Sequence, residues 1–98
     1  EAQGAAAAAA NARLWSRVGV AAKELDRLVE AEAAYRSALA LDSTYADAWF
    51  NFANLQMIQG QLREAVGSYE KAAELSEDPE LARAARSRAE ELSRTTKY

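Results

Sequence analysis

Phe50 lies in the most aromatic stretch of the chain, Ala48 to Gln56 (AWFNFANLQ), between Trp49 and Phe52. On a helix, where each residue turns by about 100°, Phe50 shares a face with Asp47, Asn54 and Met57, and more loosely with Asn51 and Ile58. Trp49, Phe52, Ala53 and Gln56 fall on another face, at the i, i+3, i+4, i+7 spacing of a packed stripe. The Phe50 face carries the chemistry of non-covalent recognition. Asparagine amides donate to and accept from a peptide backbone, a thioether is a soft and adaptable contact, and a phenyl ring adds apolar area. Bond-breaking chemistry is missing: there is no histidine and no cysteine, the commonest general base and a common nucleophile. We find no glycine-rich phosphate loop, no metal-ligand spacing and no nucleophile–base set. The expectation is a non-enzyme without cofactor or metal.

The elements that must hold these residues follow from composition. Half of the 98 residues are apolar and only one is proline, enough for one small core. Alanine dominates and β-branched residues are sparse, which favours helices over strands. A net charge of -3, from 12 basic and 15 acidic residues, sets up no global field that would draw nucleic acid or an anionic membrane. The run Gly4 to Ala10 lacks the basic start and leucine-rich centre of a signal peptide and reads as helix. The chain opens without methionine, as expected of a processed or excised piece, and a soluble, intracellular setting is the expectation.

An internal echo organises the chain. At an offset of 34, Trp15 falls on Trp49, Ala12 on Ala46, Leu28 on Leu62 and Glu30 on Glu64. Ala31 and Ala65, Tyr35 and Tyr69, Ala38 and Ala72, and Leu41 and Leu75 keep the register. Each unit reads as two helices. Thr44, with Asp47 three residues on, predicts a capped helix ending at Gly60, whose freedom to turn left-handed stops it. A second helix is expected over about Gln61 to Ser76, and Asp78-Pro79 launches a last one over roughly Glu80 to Thr96. Asp26 stands in the place of Gly60, and aspartate tolerates the left-handed region. The expected organisation is an alanine-rich helical extension over 1–11, units over 12–45 and 46–79, and a capping helix over 80–98.

Trp15-x-x-Val18-Gly19 and Trp49-x-x-Phe52-Ala53, followed by Leu28 or Leu62 and then Ala31-x-x-x-Tyr35 or Ala65-x-x-x-Tyr69, resemble the tetratricopeptide repeat at its 34-residue period. The resemblance runs from Ala12 to about Asp78. It implies an all-α, right-handed α-α superhelix of stacked helical hairpins, with the two tryptophans in like environments and a tyrosine beside each. Ala22 and Gln56 stand where the family prefers an aromatic, and Ser43 and Glu77 where it usually has proline, departures expected to loosen packing locally.

In that family the first helix of each repeat lines a concave groove that holds a peptide or a partner's helix. The equivalent positions are Arg13, Ser16, Arg17, Val20, Lys23 and Glu24 in the first repeat, and Asp47, Phe50, Asn51, Asn54, Met57 and Ile58 in the second. One wall is basic, the other apolar and amide-rich, which suits a segment bearing a carboxylate near an apolar side chain. The competing expectation is that Phe50, Met57 and Ile58 are covered by an adjoining repeat or by the last helix. On the groove reading, Phe50→Ala weakens partner binding with little loss of stability, whereas Trp49→Ala unfolds the domain. The family's clamp for the acidic C-terminal tails of Hsp70 and Hsp90 is not expected, because Ser16, Val20, Leu81 and Ala85 replace its polar residues and only Asn51 matches.

The last helix carries a narrow apolar stripe, Leu81, Ala85, Ala89 and Leu92, with Arg83, Arg86, Glu90 and Arg94 facing away. It reads as a lid on the end of the stack, and its basic residues as a solvated face rather than a nucleic-acid contact; no stacking aromatic precedes Tyr98. About three units normally make such a stack self-sufficient. The alanine-rich start could therefore shield the first helix, belong to an upstream repeat, or pack on a second copy. Two functions follow: a module or scaffold binding a protein or peptide partner, or a structural subunit buried in a homo-oligomer or larger complex.

Overall fold

Asp26 and Gly60, 34 residues apart, are the two residues with left-handed backbone among the described residues, at φ 62° and 78°. Each reverses the chain through the same hydrogen bond, Arg27 N–H to the Ala22 carbonyl and Gln61 N–H to the Gln56 carbonyl, both 2.8 Å. This is the six-to-one closure that satisfies the last carbonyls of a helix. The computed structural model describes residues 2–96, which form five helices: α1 (Ala2–Glu24), α2 (Leu28–Leu41), α3 (Ala46–Ile58), α4 (Leu62–Leu75) and α5 (Pro79–Thr95). No strand occurs among the described residues. The alanine-rich start is continuous with α1 rather than a separate element. Tyr98 lies outside the described residues.

α1 pairs with α2, α3 with α4, and α5 lies against α4; α2 against α3 joins the hairpins. Small residues set these distances. Gly19 faces the ring of Tyr35 so closely that a Cβ there would come within 2.5 Å of its Cε1. Ala53, its counterpart, is fully buried in one cluster with Tyr69, Ala65 and Ala85. Between the hairpins, Phe52 packs on Tyr35, ring centroids 6.3 Å apart, with the Arg36 guanidinium 5.2 Å above it.

Three local expectations change. Thr44 does not cap α3; its N–H and hydroxyl both donate to the Asp42 carboxylate, and Tyr45 occupies the N-cap without a side-chain bond. Asp42, two residues before, competes successfully for the same groups. Gln56 does not loosen the packing, because its buried side chain accepts a 2.6 Å hydrogen bond from Ser68. The tryptophans sit in different environments. Trp49 is half-buried, with its indole N–H donating to the Ser43 carbonyl at 2.8 Å, whereas Trp15 is 43% exposed and Val18 49%. The α1–α2 hairpin covers this face of α3, and nothing described covers it on α1.

α5 begins as its sequence predicts: the Asp78 carboxylate accepts from Glu80 N–H, and Pro79 takes the first turn. Ala85 and Ala89 are buried and Leu81 and Leu92 half-buried, while Arg83, Arg86, Glu90 and Arg94 are exposed. The stack is closed at this end by a helix with a polar outer side.

Candidate binding groove

α1 and the start of α3 enclose a cavity of about 270 Å³, lined by Arg13, Ser16, Arg17, Val20, Ala21 and Glu24 from α1 and by Tyr45, Asp47 and Asn51 from α3. Arg13, Arg17 and Val20 belong to one stretch of one helix face, so three turns of α1 form a wall. Asn51 closes the floor, its amide donating weakly to the Ser16 hydroxyl at 3.5 Å. The Tyr45 hydroxyl reports on the charges around it. Burial pushes its pKa up, Asp47 and Asp42 add to that, and the arginines Arg13 and Arg17 pull the other way. Cationic groups and carboxylates thus meet around one apolar ledge at Val20.

The other sequence-predicted residues gather in a second cluster. The Tyr69 hydroxyl donates to Asn54 Oδ1 and lies 4.0 Å from the Met57 sulfur. Arg88 of α5 donates to Asn54 Oδ1 at 3.3 Å and to the Tyr69 oxygen at 3.5 Å. Its guanidinium lies 5.4 Å over Phe50, which meets Tyr69 edge-on at 5.5 Å. Phe50 is half-buried here, so the last helix takes up the part of the groove around it, whereas Met57 and Ile58, which the competing expectation also covered, are exposed. Lys23 is half-buried and lines neither the cavity nor this cluster, and Ile58 is exposed. The arrangement brings Arg13, Arg17, Val20, Asp47 and Asn51 together, and separately Phe50, Asn54 and Met57.

Tyr45 and Arg88 are contributors that sequence reasoning did not single out. Arg88 had a signal, since it stands 34 residues after Asn54. Tyr45 had none, because its counterpart is Asn11. A larger open crease of about 500 Å³ runs between α4 and α5, walled by Glu70, Glu74, Arg86, Glu90 and Arg94. Those exposed charges are solvated and converge on nothing.

Among the described residues no group of acidic side chains is arranged to hold a metal ion, and no helix is long and apolar enough to cross a membrane. Family models of the tetratricopeptide repeat match residues 12–45 and, in a frame that begins inside α2, residues 34–67. No match to the chain is found among curated proteins.

Proposed function

The chain belongs to the tetratricopeptide repeat family, and from that premise we propose that it holds a peptide segment of a partner protein in the cavity between α1 and α3. Repeats of this family mediate protein–protein interaction and scaffolding. The observation that carries the finer reading is the placement of Arg13 and Arg17, one helical turn apart, beside Val20 and Asn51 in one open cavity. An acidic side chain would take the guanidinium pair, an adjacent aliphatic side chain would rest on Val20, and the Asn51 amide would meet the peptide backbone. Charge-assisted hydrogen bonds of this type contribute about 1.5–3 kcal/mol each.

A random peptide library displayed against the full chain tests this. Enriched peptides should carry aspartate or glutamate next to an aliphatic residue, and should bind at least about tenfold more weakly to an Arg13→Ala, Arg17→Ala double variant. Enrichment without acidic residues, or equal binding to that variant, overturns the assignment.

A further inference from the structure

The outward side of α1 carries a second pattern. Leu14, Val18, Ala21 and Leu25 follow one another at spacings of four, three and four, the a/d alternation of a coiled-coil seam. All four are exposed, Leu14 at 56% and Leu25 at 66%. On the helix they point away from buried Ala12, Ser16 and Gly19, and only Ala21 borders the groove. The fold itself shows what this face is built for. The residues 34 further on from the first three, Ala48, Phe52 and Leu55, are all buried where α3 packs on the α1–α2 hairpin.

We propose that the occupant of this face is α1 of a second copy, packed antiparallel about a twofold axis. Head-to-tail stacking has no apolar face to use, because the opposite end is covered by α5 with Arg83, Ser87 and Glu91 outward. A twofold contact makes one patch serve both subunits. In the antiparallel register Leu14 meets the partner's Leu25, and Val18 meets the partner's Ala21, so leucine pairs close the two ends of the seam around a smaller middle. A further pair falls into place along the flank of that register: exposed Arg17 comes alongside the partner's Glu24, which is exposed as well. The seam from Leu14 to Leu25 is about 16 Å long at 1.5 Å per residue, a small interface that makes a reversible dimer rather than a permanent one.

Sedimentation velocity of the full chain over a hundredfold concentration range should show a monomer giving way to a dimer. Val18→Glu should weaken the dimer at least tenfold with helicity unchanged, since Val18 belongs to none of the buried clusters of its own subunit. Arg17→Glu and Glu24→Arg should each weaken it alone, whereas an equimolar mixture of the two should form a heterodimer, every flank pair then being of opposite sign. The chain lacks cysteine, so oxidation of mixed Leu14→Cys and Leu25→Cys chains should join the two variants to each other, with little joining of either variant to itself. A monomer at every concentration, a dimer indifferent to Val18→Glu, a mixture of charge variants that stays monomeric, or cross-linking of Leu14→Cys to itself overturns the proposal. Leu14, Val18 and Leu25 lie outside the groove, so the outcomes at these positions do not depend on peptide binding there, and the charge variants at Arg17 and Glu24, which line it, are read without peptide.

Discussion

Tyr35 and Tyr69 occupy the same place in successive hairpins and both are fully buried, yet only the Tyr69 hydroxyl has hydrogen-bond partners. The difference lies across the groove. Asn54 receives the Tyr69 proton, and at the position 34 residues earlier stands Val20, which can receive nothing. A buried hydroxyl without a partner loses its hydration for no return, at about 1–3 kcal/mol.

Tyr35→Phe should therefore raise stability by about 1 kcal/mol, whereas Tyr69→Phe should lower it by a similar amount. Urea unfolding of the two variants beside the parent chain measures both. Equal effects at the two positions would mean that the hydroxyls share one environment.

Alkaline pH should separate the same residue. Burial, and secondarily the charge of Glu24, raise the Tyr35 pKa from 10.0 to about 12. Above the unfolded value the unfolded chain releases a proton that the native state retains, so this contribution is intact below about pH 10 and is lost as pH rises toward 12, at up to about 1.4 kcal/mol per unit. Urea midpoints followed up the pH scale should fall steeply for the parent chain and less for Tyr35→Phe.

Two glycines should respond oppositely to alanine. At Gly19 a Cβ meets three ring atoms of Tyr35 at 2.5–2.8 Å, and that ring is enclosed on all sides, so Gly19→Ala should cost roughly 2–3 kcal/mol. Within α4, Gly67 has nothing within 4 Å of its Cβ position. Gly67→Ala should gain up to about 1 kcal/mol from helix propensity alone. Thermal melts of the two variants should move to opposite sides of the parent.

Phe50 joins α3, α4 and α5 through Tyr69 and Arg88. Phe50→Ala should cost about 2–3 kcal/mol of stability and leave binding of acidic peptides to the α1–α3 cavity within about twofold. The Arg13→Ala, Arg17→Ala variant should do the reverse. Calorimetric titration combined with urea unfolding separates the two effects.

The repeat was legible down to its backbone. Asp26 in the place of Gly60 announced the left-handed turn that both adopt, and Asp78-Pro79 announced the start of α5. What escaped was whatever depends on neighbours rather than on residue type. Trp15 and Trp49 hold the same place in the 34-residue register, and only packing tells that a hairpin covers one and not the other. Thr44 has the right spacing for a cap, but Asp42 lies closer to its groups. In the groove, the grouping of Arg13, Arg17 and Val20 was expected from the family resemblance and the repeat register. The capture of Phe50 by Arg88 required α5 to continue the 34-residue register without any of the residues that mark it.

α1 is 23 residues long and its partner α2 only 14, so its first turns, exposed from Gln3 through Ala7, extend past the hairpin as a bare rod. A protein engineered onto that rod in unbroken helical phase would be carried at a fixed bearing. One inserted alanine would swing it by about 100° and advance it by about 1.5 Å, a dial for orienting cargo around the axis.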